Sequence, residues 1–289
     1  MNVITQQVIT DLSIGSILLL IALGLAIIYG AMGVINLAHG ELVMLGAYTA
    51  WALQNFLGIG LLAGLPLIFL TVAGLGWIIE RAVIRHLYKR PLDTILATWG
   101  ISVMLQQIVR LLAGGELRYV KSPDSLARAV SVFGQETPLY RIFIFVVVLA
   151  LFALTWVLVN RTTPGMKLRA VVQDPAIAAC FGINADRVYA ATFAYGAGLA
   201  GLAGALVAPL KSVSPEMGTT YVVDAFMVVV VGGVQSLFGT VISAALLGQS
   251  SSVLGFLTND TIAQAVVLLA VIVLIRFRPQ GLFAARVRA

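Results

Sequence analysis

A chain of 289 residues that is 60% hydrophobic and only 10% charged has under half the charge of an average soluble protein, which carries about 25%. With a mean hydropathy of +1.02 and a pI of 9.7, this excludes a cytosolic enzyme, a nucleic-acid-binding module and a disordered segment. What remains is an all-α polytopic membrane protein, with one transmembrane domain over residues 1–289. At roughly 20 residues per crossing the length admits about eight spans.

The apolar runs give those spans in chain order. The first covers residues 9–29, and a second, interrupted run covers 35–53. No basic residue precedes Arg81, so a cleavable signal peptide with a basic start is not expected. A third run, 61–79, ends on the cluster Arg81, Arg85, Lys89 and Arg90. Residues 95–112 leave that side, and an outer loop of mixed charge follows at about 113–138. Residues 140–159 return to a second cluster, Arg161, Lys167, Arg169 and Arg187. Runs at 188–210, 222–234, 237–257 and 262–275 then lead to Arg276, Arg278, Arg286 and Arg288. Short loops rich in Lys and Arg stay cytoplasmic, so the three clusters mark that face and the N-terminus is placed outside. The run 222–234 is short for a crossing and reads as a re-entrant or broken helix, so the count is eight or nine. Cys180 reads as a small apolar packing residue.

Polar residues inside apolar runs are costly in hydrocarbon and tend to face a cavity or a protein partner. Asn36, His39 and Glu41 fall within six residues, flanked by Gly30, Gly33, Gly40 and Gly46. This pattern predicts a discontinuous helix whose free N–H and C=O ends need partners. The trio either lines a pathway or only ties an irregular turn. A weaker echo appears later, where Asp224 interrupts one run and Gly232, Gly233 and Gln235 break it again. Two glycine-interrupted segments in corresponding halves point to a pathway near the midplane. Asp224 is a functional candidate, or equally a helix-start residue favoured by the helix dipole.

The stretch 161–187 is too ordered for a simple hairpin. Asp174 followed by Pro175 reads as an N-cap with proline in the first turn. A short helix through Ala178 follows, and Gly182 stops it. Such a helix lies on the membrane surface or docks into a groove of a partner protein.

Asn36-Leu-Ala-His-Gly-Glu41, Gly182-Ile183-Asn184 and Arg278-Pro-Gln-Gly-Leu-Phe283 together resemble the branched-chain amino acid and urea permease family of ATP-binding-cassette (ABC) importers. The 161–187 stretch looks like that family's cytoplasmic coupling loop, with Asp174, Pro175, Ala178, Gly182, Ile183 and Asn184 at the ATPase contact. Ala97-Thr98-Trp99-Gly100, Gln106-Gln107 and 221–230 are most similar to permeases for urea and short amides, with branched-chain amino acids as the alternative solute. The resemblance implies a bacterial inner-membrane importer with a second homologous permease subunit, two cytoplasmic ATPases and a periplasmic or extracellular solute-binding protein. Membrane lipid surrounds it, and nucleic acid is no partner. None of the four lysines (89, 121, 167, 211) follows a glycine, so no P-loop is present. The expectation is a non-enzymatic subunit that binds no cofactor itself, with ATP held by its partners.

Urea is small, neutral and rich in hydrogen-bonding groups, so its path needs amide or hydroxyl partners against apolar walls. Thr98, Gln106, Gln107, Asn36 and Gln235 are the candidates, beside His39, Glu41 and Asp224. Two other classes are weaker. A passive channel has no use for an ordered docking loop. An intramembrane enzyme on His39, Glu41 and Asp224 lacks any His-Glu-x-x-His or Gly-x-Ser-x-Gly motif.

Overall fold

A computed structural model describes residues 2–88, 90–132, 135–234, 236–278 and 280–283. Lys89, Gln235, Pro279, Arg286 and Arg288 lie outside the described residues. The helices follow the apolar runs closely: α1 (Asn2–Met32), α2 (His39–Leu57), α3 (Leu61–Ala82), α4 (Pro91–Ala113) and α5 (Leu139–Arg161). Next come α6 (Thr163–Gln173), α7 (Pro175–Cys180), α8 (Ala185–Val207), α9 (Met217–Gly232), α10 (Leu237–Leu257) and α11 (Asp260–Phe277). Among the described residues, six helices are long and apolar enough to cross a membrane, and α9 and most of α11 are shorter apolar helices.

Two features correct the expectation. The all-α reading has one exception, in the outer loop: β1 (Ala129–Val132) and β2 (Gln135–Pro138) pair antiparallel, Val130 opposite Thr137. Val130 and Val132 alternate with Ser131, a period-2 pattern that suits a strand. The second is α6, which turns the cytoplasmic stretch into a helix pair; Thr162 caps it and Pro164 sits in its first turn.

Sidedness follows from contacts between distant segments. At one end Arg85 pairs with Asp186 at 2.9 Å, and Leu282 N–H donates to the Val231 carbonyl at 2.8 Å. The described members of all three basic clusters gather there, so this is the end that the positive-inside rule assigns to the cytoplasm. At the other end Arg110 pairs with Glu216 at 2.5 Å. There too the Tyr140 hydroxyl donates to the Leu206 carbonyl at 2.8 Å, and the backbones of Arg118 and Val213 bridge.

The centre of the bundle is α8, packed against α1, α2 and α3. Lipid tails are as apolar as leucine, so helices in a membrane gain by close backbone approach at small residues. A Cβ at Gly204 would lie 1.9 Å from the Val43 carbonyl oxygen, and one at Gly46 would lie 2.0 Å from that of Gly201. Only glycine fits this crossing of α2 and α8. At the periphery Leu70, Trp77, Leu92, Trp99, Met104 and Leu111 are exposed, as a hydrocarbon-facing surface requires.

Candidate functional site

The first break separates α1 from α2. Gly33 takes φ +64° and turns the chain out of α1, leaving residues 33–38 without regular structure. Such backbone survives at membrane depth only if its polar groups are satisfied. The Asn36 side-chain oxygen accepts the Ala38 N–H at 3.0 Å, its carbonyl accepts the His39 N–H at 3.2 Å, and the Leu37 N–H donates to the Thr98 hydroxyl at 3.2 Å. His39 and Glu41 then open α2. The His39 ring contacts the Ile21 carbonyl at 3.0 Å through Nε2; a carbonyl only accepts, so Nε2 carries the proton. The Glu41 Oε1 accepts from Ser102 at 3.0 Å and from Gln106 at 2.8 Å.

These contacts form a buried polar seam between α2 and α4. Asn36 and Glu41 are 1% exposed and His39 is 0% exposed. Each keeps one polar atom without a hydrogen-bond partner among the described residues: Asn36 Nδ2, His39 Nδ1 and Glu41 Oε2. On α4 its members Thr98, Ser102 and Gln106 recur every fourth residue, so successive ones are neighbours on the helix surface, and Arg110 continues the row beyond the seam. Ser102 escaped the sequence reading, although its spacing from Thr98 and Gln106 was visible there. Gln107 stands one residue off the stripe and is exposed.

The second break behaves differently. A Cβ at Gly30 would lie 3.2 Å from the Val234 carbonyl oxygen, so the two interrupted segments meet towards the cytoplasmic end rather than at the midplane. The expected Gln235 lies outside the described residues. Asp224 sits in the middle of α9, which removes the helix-start account. It lines a cavity separate from the seam, with Arg141, Lys211 and Ser251.

The cytoplasmic stretch folds as its local signals require. Asp174 caps α7, its Oδ1 accepting from Ala176 N–H at 2.8 Å and Ile177 N–H at 3.0 Å, and Pro175 occupies the first turn. Gly182 at φ +76° ends the segment, where the Ile183 N–H donates to the Ala178 carbonyl at 3.1 Å. Asn184 caps α8 through the Arg187 N–H at 3.0 Å. Ala178 is buried at 3% exposure, whereas Ile177 is 58% and Phe181 80% exposed. Ile177 and Phe181 are the large apolar side chains that this segment presents outward, and Ala178 faces inward. Cys180 is exposed, not packed.

Residues 8–276 match the family described as "Branched-chain amino acid transport system / permease component". The chain is 31% identical to the high-affinity branched-chain amino acid transport system permease protein BraD of Pseudomonas aeruginosa, over 96% of this chain and 94% of BraD. It is 32% identical to the permease protein LivH of the like-named system in Escherichia coli K12, over 93% of each. It is also 27% identical to LivM of the same organism, over 92% of this chain but 67% of LivM. No solved structure matches.

Proposed function

The chain belongs to the branched-chain amino acid transport system permease family, and from that premise we propose that it forms half of the translocation pathway of an ABC importer for branched-chain amino acids. The observation that carries the reading is α7. It is a capped, proline-started helix at the cytoplasmic end, with apolar Ile177 and Phe181 facing outward, and the chain has no nucleotide-binding loop of its own. Two ATPases dock there, a solute-binding protein delivers at the opposite face, and ATP binds to the partners alone. That the chain matches both LivH and LivM, two permease proteins of one named system, supports a homologous second permease as the other half. ATPase closure moves α7, and α7 is joined through Gly182 and Asn184 to α8, the most deeply packed helix, so movement passes into the bundle and alternates access.

Replacing Phe181 or Ile177 by Asp tests this. In the reconstituted complex, solute-stimulated ATP hydrolysis and uptake should separate, with uptake falling about tenfold or more. Coupling that stays intact in a well-inserted Phe181→Asp protein would overturn the docking role.

The names of the relatives favour branched-chain amino acids over urea. The urea reading keeps one supporting observation: Asn36, Glu41 and Thr98 bond only to backbone, hydroxyl and amide groups among the described residues. A seam without a cation suits a neutral solute better than a carboxylate. Purifying the complex with its binding protein and measuring whether leucine or urea stimulates ATP hydrolysis separates the two.

A further inference from the structure

Away from the seam, the outer half of the bundle contains a second polar site. A cavity of about 330 Å³ lies between α1, α9, α10 and α11, and Asp224 projects from α9 into it. Arg141, at the start of α5, and Lys211, just past α8, stand at its outer end; Ser251 on α10 and Gln264 on α11 add polar groups. A second cavity of about 370 Å³ abuts the first, sharing Thr220, Asp224, Met227 and Gln264 and continuing along Thr261 and Leu268 of α11. Asp224 thus stands where the two spaces join, in a cleft between α9 and α11.

The chemistry of this cleft is unusual for a bundle in hydrocarbon. Among the described residues the Asp224 carboxylate accepts no hydrogen bond and makes no ion pair within 4.0 Å, and the Lys211 ammonium does not close on it. A carboxylate within a membrane span is costly unless it meets a partner or a polar cavity, and α9 offers no helix-start position to explain it. The cleft presents an anionic acceptor deep between the helices and cations at its outer end. A small solute with N–H donors at one end and an oxygen acceptor at the other matches that order. The volume suits a molecule of amino-acid size or smaller, and the outer end is the face at which a solute-binding protein would deliver.

We propose that the Asp224 cleft is a solute subsite on the delivery side of the permease, in which Asp224 receives the N–H donors of the incoming molecule and Lys211 its carbonyl or carboxylate oxygen. This rests on the importer reading and adds a first stop on the path, before the Asn36–Glu41 seam. N–H donors are shared by an α-amino acid, as ammonium, and by urea, as amide. A charged hydrogen-bonding partner contributes about 1.5–3 kcal/mol, so losing it corresponds to roughly a tenfold or greater fall in affinity.

The test is equilibrium binding of labelled leucine and of labelled urea to the complete permease–ATPase complex in liposomes, without binding protein, alongside ATP-driven uptake with it. Asp224→Asn should weaken binding of the imported solute about tenfold or more, while Gly100→Ala, whose added carbon meets nothing within 4 Å, leaves this binding near wild type. Lys211→Gln distinguishes the sources: leucine binding falls with it because a carboxylate loses its cation, and urea binding changes less than about threefold. Saturable binding that Asp224→Asn leaves unchanged, in a complex that imports the solute, overturns the subsite and leaves the importer reading standing. Import with no saturable binding to the wild-type complex overturns it as well. A complex that binds a solute through Asp224 but imports none overturns the importer reading instead.

Discussion

Helices α8 and α4 have the same length, 23 residues, and the same mean hydropathy over their most apolar stretch, 1.5, yet 83% of that stretch is buried in α8 and 22% in α4. The difference lies in how each is held. Small residues on α8 let three neighbouring helices approach its backbone, and dispersion over a large area fixes it. Helix α4 exposes Leu92, Leu96, Trp99, Met104 and Leu111. It meets the bundle through one stripe of hydrogen bonds, from the Leu37 N–H to Thr98, from Ser102 and Gln106 to Glu41, and from Arg110 to Glu216. Backbone contact packed to van der Waals distance is hard to loosen. A row of individually modest hydrogen bonds can be exchanged for bonds to a solute. On the proposed importer reading, α8 transmits force and α4 is the wall that yields.

The sharpest way to break that contrast is to place the same methyl group on each helix. Gly204→Ala puts a carbon 1.9 Å from the Val43 carbonyl oxygen. It should cost about 3 kcal/mol or more, seen as lost yield and a lower Tm in detergent. Gly100→Ala on α4 meets nothing within 4 Å and should leave both unchanged or slightly improved. Equal damage from the two would dissolve the distinction.

Glu41 offers a smaller and more specific probe. Glu41→Ala leaves the Ser102 hydroxyl and the Gln106 amide without their shared acceptor; interhelical bonds of this kind are worth about 0.6–2 kcal/mol in membranes. Stability should fall by that amount, and uptake should fall much further, with the solute affinity of the binding protein intact. Glu41→Gln keeps the shape and should recover most of the stability. If uptake simply follows stability through this pair, the seam is a fastener and no part of the path.

The smallest effect belongs to the outer tip of the stripe. Arg110 and Glu216 are 42% and 70% exposed, so Arg110→Gln should change stability by less than about 1 kcal/mol. A larger change in an unfolding titration would mean that α4 is anchored at its end rather than along its face.

Much of the fold was legible because its signals are local. The run 237–257 became α10 with the same bounds, and Asp174-Pro175 and Gly182 bounded α7 as capping chemistry requires. Other features resisted for reasons that are equally physical. Gln106 and Gln107 are adjacent and chemically identical, and only the rotation of α4, set by what it packs on, turns one to Glu41 and the other outward. Ala178 resembles any other small residue of α7 until α7 is laid against its neighbours. Asp224 could be read as a helix-start residue until α9 was found to begin at Met217.

The sequence by itself determined that this chain lives in a membrane, roughly where its apolar helices run, and how the caps of α7 are built. Hydropathy, basic clusters and caps act over a few residues, so they can be read without the fold. Tertiary structure alone decided that Glu41 meets Ser102 and Gln106 from 61 and 65 positions away. It also decided that the two helix breaks touch near one end, and that Asp224 opens a second polar cleft. Those outcomes depend on how helices rotate and cross, and packing between distant segments sets that geometry.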